Sequence, residues 1–380
     1  MMNMQWEEFW WDSITGPRTV VSNVVKALLE NKMVILKVPP DLPWRHPMRS
    51  AINTAFKEHS DYRDIVIEHI DIIDDNPKQM EPGRFILNYF ASSAVNNGYR
   101  EKSKASIQEY ISMKGVIKNR IIWIKGLDKK TTEKWIKFCC GFTKRSPEEG
   151  LFVLEVHADS PLGTINSLTL IDFMECVSNY DLQLFNSFVL DKQSYYTDNW
   201  KKYISVCSAT VCDIDAELSE LLIRIIDFKT ESVLEGIKRI AEMPDFVRRG
   251  EDISSNHILR YYRNNNFSEI EHRIWTAQIQ VLFPIIELER VEIICKYENA
   301  IKSVLDSENI TQYGELLTDA IDVELGTLCY LMSKRNNDGL YYLYIPNETD
   351  RDRIRFLHEC RNNLAHVSCC SPKQVRELLN

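Results

Sequence analysis

The chain has 380 residues, of which 44% are hydrophobic and 27% are charged, and its formal net charge is -9. This composition excludes a disordered or low-complexity protein, and the length predicts two or three compact units. The acidic balance argues against a surface built throughout for polyanions, because nucleic-acid affinity depends largely on Lys and Arg. The acidic N-terminus lacks the features of a signal peptide, and no apolar run is long enough to span a bilayer. We therefore expect a cytoplasmic protein that does not bind membranes.

The first part of the chain alternates helical and strand-like patterns. Apolar residues recur at helical spacing over 20–29, and the run MVILKV (Met33 to Val38) predicts a buried strand. Four further strands are predicted at DIVIEHIDI, IIWI, LFVLEV and SLTLIDF. Strands that alternate with helices are typical of a parallel sheet with crossover helices. Residues 1–177 are therefore predicted to form an α/β domain.

Helical periodicity dominates the rest of the chain. We predict a helical connecting region over 178–265, with a helix near 218–225 and a polar linker at 248–256, and a separate helical domain over 266–380. A longer helix over 275–286 contains Pro284, which is expected to kink it. An amphipathic helix is predicted over 315–331, followed by the aromatic, Pro-containing connection YYLYIPNE. Two more helices are predicted to begin at Thr349 and at Ser371-Pro372.

Ten cysteines are spread over the whole chain without any C-x-x-C pair. Such a pattern favours reduced, mostly buried thiols over zinc ligands or disulfides. Acidic residues and a histidine follow two of the predicted strands: Asp71, Asp74, Asp75, His157 and Asp159. They are candidates for a metal site at the carboxyl edge of the sheet, or they are solvated loop residues. Solvated residues are the commoner case, so no metal or other cofactor is expected.

The order of the N-terminal elements resembles the core of P-loop ATPases, particularly the AAA+ and STAND-like groups. In those families a strand of four apolar residues ends in Asp-Gly-Leu-Asp or Asp-Glu, and the first carboxylate helps to hold Mg²⁺ through its waters. The matching run here is IIWI followed by Lys125, Gly126, Leu127 and Asp128. Because Lys125 stands at the place of that carboxylate, the resemblance implies no ATPase activity.

The loop after the first strand also departs from a phosphate-binding loop, which needs a Gly-rich turn with free N–H groups followed by Lys and Ser/Thr. Here Pro39, Pro40 and Pro43 remove N–H donors, and Asp41 would repel a phosphate. The degenerate nucleotide-site positions are Pro43, Trp44, Arg45, Lys125 and Asp128. We expect the domain to have kept the fold and lost hydrolysis. An unrelated α/β domain, and an unusual phosphate site formed by Lys125, Arg45 or His46, remain alternatives.

The motif RNNLAH, from Arg361 to His366, lies near the end of a predicted helix. It resembles the motif of the HEPN superfamily, in which an Arg, often with a polar residue directly after it, is followed by four to six residues and a His. Four residues separate the pair here, and Asn362 fills the polar position. The resemblance covers about residues 290–380. It implies a helical bundle with Arg361, Asn362 and His366 as the catalytic residues of a metal-independent endoribonuclease.

The spacing of this helix is informative without the family. Ile354, Leu357, Arg361 and Leu364 fall at 3, 4 and 3 spacing, which predicts that Arg361 shares the apolar stripe. Asn362 and His366 face one way, together with His358. Arg361 and His366 are ~140° apart on a regular helix, so they converge through the reach of Arg, a loosened last turn or a second copy. We favour a homodimer formed through the C-terminal domain.

In such a site, His366 would take the proton from a ribose 2′-OH or deliver one to the leaving 5′-oxygen, while Arg361 stabilises the charge on phosphorus. Asn362 would orient His366 or the phosphate. The products would be a 2′,3′-cyclic phosphate and a 5′-hydroxyl, and DNA would resist because it lacks the 2′-OH. The nearby Arg351, Arg353 and Arg355 form a local basic surface or are ordinary solvated charges.

The combined resemblance implies an RNA-cleaving effector of a bacterial antiviral defence or toxin system, with a sensing or assembly domain and a possible partner protein of that system. The alternative is a catalytically inert adaptor or sensor subunit that recruits a true ATPase or nuclease. In that case Arg361 would pair with Glu324 or Asp322, and His366 would cap a helix end. A coincidental match of the short motif is the third interpretation.

Overall fold

The computed structural model describes residues 5–76, 80–100, 105–143, 145–160, 162, 165, 167–244, 253–308, 319–335 and 338–380. The chain divides into two compact units. Unit 1 comprises Met1–Phe185, Ile214–Leu218 and Glu251–Ser255. Unit 2 comprises Asn186–Asp213, Ser219–Gly250 and Asn256–Asn380.

Unit 1 is built on a five-stranded sheet whose strands are β1 (Met33–Val38), β2 (Val66–Asp71), β3 (Arg120–Leu127), β4 (Leu151–His157) and β5 (Leu168–Asp172). The strand order is β2-β3-β4-β1-β5, and every neighbouring pair is parallel. The central strands β1, β3 and β4 are almost entirely buried, as continuous apolar runs require when helices cover both faces. All five strands predicted from the sequence are confirmed, and with them the α/β fold of the N-terminal part.

The helices of unit 1 surround this sheet: α1 (Trp6–Ser13), α2 (Thr15–Leu29), α3 (Arg45–Lys57), α4 (Ile72–Asp75), α5 (Pro82–Phe90), α6 (Ser93–Gly98), α7 (Ile107–Met113), α8 (Lys129–Cys140) and α9 (Phe173–Cys176). A 3-10 turn spans Ser60–Tyr62. The next helix, α10 (Asn179–Asp191), contains the division between the units after Phe185. Large aromatic side chains form much of the core, among them the fully buried Trp123, Trp135 and Phe152.

The regular secondary structure described in unit 2 is helical apart from one isolated bridge between Arg335 and Tyr341, which confirms the all-α character predicted for the C-terminal part. Its helices are α11 (Asp198–Cys212), α12 (Ala216–Ile225, which begins in unit 1), α13 (Val233–Ala241), α14 (Ile258–Arg263), α15 (Phe267–Lys296), α16 (Glu298–Glu308), α17 (Leu325–Ser333), α18 (Glu348–Ala365) and α19 (Pro372–Leu379). The long helix α15 packs against α11, α18 and α19. Segments of the predicted connecting region and of the predicted C-terminal domain therefore lie in one compact unit.

Buried Gln278 fastens α15 to the segment that precedes α19. Its Oε1 accepts a hydrogen bond of 2.7 Å from the backbone N–H of Cys370, and its Nε2 donates to the carbonyl oxygen of Cys370 at 3.1 Å. Both groups of Cys370 are thereby satisfied where water is excluded. Pro284 lies inside α15 without ending it.

Two predicted C-terminal boundaries are wrong. The helix predicted over 315–331 begins only at Leu325, because Ala320–Asp322 forms a 3-10 turn and Glu324 has an extended backbone; residues 315–318 lie outside the described part. The next helix begins at Glu348, because the side chain of Asn347 caps it by accepting the N–H of Thr349. The last helix does begin at Pro372, with Ser371 as its cap. Of the predicted linker 248–256, residues 248–252 lie outside the described part.

All ten cysteines are free thiols, of which five are buried, four are half-buried and Cys295 is exposed. Among the described residues, no helix combines the length and the apolar character needed to cross a membrane.

Candidate functional site

The loop after β1 is held by contacts within unit 1. Trp44 adopts the left-handed backbone region, with a φ of 44°, directly before α3 begins at Arg45. Its carbonyl oxygen accepts a hydrogen bond of 3.1 Å from the indole of Trp11, and its N–H donates to Glu217 Oε2 at 3.3 Å. A bulky residue in this region is strained, so these contacts hold a turn that the chain would not adopt alone.

A buried carboxylate, Glu155 on β4, anchors the helix that follows this loop. Its side chain is 2% exposed and accepts charge-assisted hydrogen bonds from Arg45 at 2.9 Å and from Arg49 at 2.8 Å. The indole N–H of Trp123 donates a third bond to it, at 2.8 Å. This acid, which we call the Glu155 anchor together with its three donors, is fully partnered, as a buried charge must be.

Sequence reasoning missed the Glu155 anchor, although a signal was present. A single acid interrupts the apolar run LFVLEV, and a carboxylate inside a fully buried strand requires a cationic partner. The partners Arg45 and Arg49 lie more than one hundred residues earlier. Their spacing of four places both on one face of α3, which could have singled them out.

Arg45, one of the degenerate nucleotide-site positions, points back at its own loop. Besides Glu155, its guanidinium donates to the carbonyl oxygens of Pro39 at 3.0 Å and Pro40 at 3.1 Å. A phosphate loop instead presents N–H groups and a cation to the ligand. Pro43 is buried, and buried Asp41 accepts a 2.6 Å bond from the hydroxyl of Ser254. The loop is therefore fastened by groups that a nucleotide site would leave available.

The two other degenerate positions have partners as well. Lys125 forms an ion pair of 3.1 Å with Asp71 at the end of the neighbouring strand. Asp128 caps α8 by accepting the backbone N–H of Thr131 at 2.7 Å, and hydrogen bonds from Thr131 lower the pKa of this carboxyl group. Both side chains thus have local structural roles in this fold.

Two of the carboxylates considered for a metal site have partners, one of them among the candidates themselves. Asp71 bonds Lys125, and Asp159 lies 3.7 Å from His157. Within the described ranges, no group of three or more His, Cys, Asp or Glu side chains is arranged to hold a metal ion.

The motif RNNLAH occupies the last turns of α18. The buried positions of this helix are Ile354, Leu357, Cys360 and Leu364. The predicted apolar stripe is therefore wrong at one position: Cys360 fills it, and Arg361 lies half-buried at its edge. Helical spacing allows either Cys360 or Arg361 to follow Leu357 on the buried side. Burial of the Cys360 thiol costs far less than burial of the Arg361 guanidinium, so the thiol takes the buried position.

Arg361 donates a hydrogen bond of 3.2 Å to Glu324, the residue that precedes α17. This was the partner considered for an inert protein. The pair is open to solvent, because the Arg361 side chain is 34% exposed and the Glu324 side chain is 65% exposed. Exposed pairs of this kind contribute about 0–1 kcal/mol. Arg361 is therefore held only weakly.

Asn362 lies one turn after His358 on the same face of the helix, and its side-chain nitrogen is 3.0 Å from His358 Nε2. Burial and the nearby charge of Arg361 lower the pKa of His358, so its neutral form is favoured. The sequence predicts that this histidine shares a face of the helix with Asn362, and the structure shows in addition that the two side chains are in contact.

His366 ends the helix. Its backbone N–H donates to the carbonyl oxygen of Asn362 at 3.0 Å, and the following Val367 has a φ of 58°. Ser368 N–H then returns to Asn363 at 2.8 Å, which closes the last turn in the manner of a left-handed C-cap. The His366 side chain is exposed. Among the side-chain contacts of the described residues, none joins Arg361 to His366.

The three arginines before the motif differ in their surroundings. Arg353 binds Glu289 on α15 through two bonds of 2.7 Å, and these contacts raise the pKa of its guanidinium. Arg351 donates to the carbonyl oxygens of Ile345 and Pro346 at 2.6 and 2.9 Å. Only Arg355 is exposed, with Asp352 at 2.8 Å. The predicted basic surface is thus reduced mainly to Arg355.

Comparison with known proteins gave structural similarities only. No family model matches the chain, and no curated protein matches it by sequence. The chain is similar to the structure of the Aeropyrum pernix ORC1 protein in complex with DNA, at 9% identity and a TM-score of 0.35, covering 96% of this chain and 88% of that one. It is also similar to Cdc6p from Pyrobaculum aerophilum, at 12% identity and a TM-score of 0.32, covering 93% of each chain. The Aeropyrum pernix ORC2 protein matches at 10% identity and a TM-score of 0.29, covering 92% and 93%.

Proposed function

We propose that this protein is a metal-independent endoribonuclease in which Arg361, Asn362 and His366 of two facing copies form the reactive site. The observation that carries the proposal is the exposure of the motif. His358, Asn362 and His366 follow one another along the half-exposed to exposed side of α18, while the opposite side is buried. Polar side chains left at a surface, with two imidazoles among them, are available to a substrate or a second subunit.

The pairing of Arg361 does not obstruct this role. Because the bond to Glu324 is exposed, exchanging that carboxylate for a phosphate costs about 1 kcal/mol or less. A guanidinium binds phosphate through paired hydrogen bonds, which stabilise the charge that develops on phosphorus. Arg361 is therefore available for transition-state stabilisation.

The imidazoles supply the proton transfers. His366 is exposed at the end of α18, so its ring can reach beyond the last helical turn. A neutral imidazole takes the proton from the 2′-OH as that oxygen attacks the adjacent phosphorus. The 5′-oxygen leaves with a proton returned by an imidazolium, which yields a 2′,3′-cyclic phosphate and a 5′-hydroxyl. His358, whose neutral form is favoured, holds Asn362 in place for this step.

Unit 1 has a different part in the proposal. Its sheet and its degenerate loop resemble an AAA+-like ATPase that no longer hydrolyses nucleotide, and the Glu155 anchor ties down the helix and loop where a nucleotide would bind. We propose that it senses or assembles, within a bacterial antiviral defence or toxin system, while unit 2 acts on RNA.

A second candidate function is an inert adaptor, and the bond between Arg361 and Glu324 favours it. In an adaptor this bond would tie α18 to α17. The side of α18 that carries His358, Asn362 and His366 would then be an ordinary solvated helix face.

Cleavage of labelled RNA in the presence of EDTA separates the two. Arg361→Ala and His366→Ala should each lower the cleavage rate by at least about 10²-fold, because each removes a charge-stabilising or proton-transferring group. Arg355→Ala is the matched control, since it removes an exposed arginine of the same helix. DNA of the same sequence should stay intact. If wild type leaves RNA uncut, or if both motif variants cut it as wild type does, the nuclease proposal is wrong.

A further inference from the structure

The connection between α17 and α18 presents aromatic rings to solvent. Tyr341 is 45% exposed and Tyr344 is 68% exposed. Tyrosine bodies are apolar and usually cover a neighbour. Two such exposed rings lie three positions apart in this connection, and the proposed chemistry at Arg361 does not use them.

A cation lies against Tyr341, and another lies against two neighbouring tyrosine rings. The Arg335 guanidinium lies 4.7 Å from the centre of the Tyr341 ring and donates to its hydroxyl at 3.1 Å. Lys334 lies 4.8 Å from the ring centre of Tyr330 and 5.3 Å from that of Tyr342. A positive charge over one face leaves the other face of a ring available for a further planar group. We call Lys334, Arg335, Tyr341 and Tyr344 the tyrosine platform.

The platform is fixed to the body of unit 2. Leu343 and Ile345 are buried, and they alternate with the outward-facing Tyr344, as an extended segment requires. The N–H of Leu343 donates to Leu331 at 3.1 Å, and Arg351 on α18 holds the carbonyl oxygen of Ile345 at 2.6 Å. The rings are therefore presented by an ordered segment.

We propose that the tyrosine platform binds single-stranded RNA, with Tyr341 and Tyr344 stacking on bases and Lys334 and Arg335 contacting phosphates. Exposed aromatic rings beside cations are the combination that single-stranded nucleic acids recognise, because every base has a flat apolar face next to a charged backbone. The protein as a whole is acidic, so a cationic aromatic patch departs from its general surface.

The position of the platform suits the proposed nuclease, on which this inference rests for its choice of RNA. Arg351, which holds the platform segment, precedes Arg361 by ten residues of the same helix. That separation is about 15 Å along the helix axis. A short single strand held by the tyrosines can thus extend along α18 to the motif. The tyrosines would select unpaired RNA and set where it is cut.

Binding is measured with a fluorescently labelled 2′-O-methyl RNA strand, which lacks the attacking hydroxyl and so is not consumed. Tyr341→Ala together with Tyr344→Ala should raise the Kd on the order of tenfold for each base stack lost. Tyr341→Phe with Tyr344→Phe should bind within about threefold of wild type, since stacking needs the ring alone. Tyr180→Ala, a 76% exposed tyrosine on α10, is the matched control and should leave the Kd unchanged.

The inference is overturned if wild type does not bind the strand, or if the double alanine variant binds as tightly as wild type. It is also overturned if that variant loses self-association and keeps RNA binding, because the platform would then be a protein interface. Failure of the nuclease proposal is seen separately. In that case RNA binding still depends on the tyrosines, but the wild-type protein does not cut RNA, or the Arg361→Ala and His366→Ala variants cut it as wild type does.

Discussion

Replacing Glu155 by Gln tests the anchor that holds the helix and loop after β1. The substitution keeps the size of the side chain and removes its charge, so two guanidinium groups lose their counter-ion. Removing one partner of a buried ion pair costs about 3–5 kcal/mol. The 14% exposed Arg49 cannot be hydrated and so carries most of this cost. Because Arg45 is 36% exposed and water can hydrate it, we expect the lower end of the range, about 3 kcal/mol.

Urea unfolding followed by tryptophan fluorescence measures this loss in unit 1, which contains six of the eight tryptophans. With a slope of about 2 kcal/mol/M, the midpoint should fall by about 1.5 M. Glu68→Gln is the control, since this strand glutamate pairs with Arg120 at 3.7 Å where both are about 40% exposed. Its loss should be about 0–1 kcal/mol. Equal midpoints for the two variants would refute the anchor.

Two further predictions concern unit 2. The pKa of His358 is lowered in the folded protein, so the unfolded chain takes up a proton at a higher pH than the folded one does. The free energy of unfolding therefore carries the full contribution of neutral His358 above about pH 6.5 and loses it as the pH falls. His358→Asn should accordingly flatten the fall of the unfolding free energy between about pH 7 and 5. An unchanged pH profile would contradict this. Gln278→Ala leaves two buried backbone groups of Cys370 unpaired and should cost about 2–4 kcal/mol in urea unfolding. Gln374→Ala is the control, because Gln374 is half-exposed and the side-chain bonds that it loses are to exposed groups. A loss under about 0.5 kcal/mol would contradict the role of this side chain.

The sheet could be predicted from the sequence because its central strands are short apolar runs, and because the edge strand β2, VIEHID, still carries apolar residues at its start. The strand MVILKV was predicted with its observed ends, Met33 and Val38. Such local patterns carry the information because central parallel strands are buried on both faces. The fold class of the N-terminal part therefore needed no knowledge of long-range contacts.

Contacts between distant residues could not be predicted in the same way. The Glu155 anchor joins three segments of the chain. The turn at Trp44 depends on the indole N–H of Trp11, which donates to it, and on the carboxylate of Glu217, which accepts from it. In α18, the choice between Cys360 and Arg361 for the buried stripe depends on how that helix is rotated against its neighbours. A one-residue difference of this kind lies below what periodicity resolves, yet it decides whether Arg361 reaches solvent.

The tyrosine platform shows a related limit. The run YYLYIPNE was predicted as a connection, and it is one. Its alternation of buried Leu343 and Ile345 with exposed Tyr344 is an extended pattern too short to be separated from a loop by sequence. Which rings face outward became apparent only once their neighbours on α17 and α18 were placed.

RNA cleavage by mixed dimers tests the central proposal most directly. Arg361→Ala and His366→Ala subunits are inactive alone if each residue is required. After the two are mixed and allowed to exchange, half of the dimers carry one subunit of each kind. If the site takes Arg361 from one copy and His366 from the other, each mixed dimer regains one intact site, and about a quarter of wild-type activity should return. A mixture as inactive as its components, or single variants that cut RNA like wild type, would contradict the shared site.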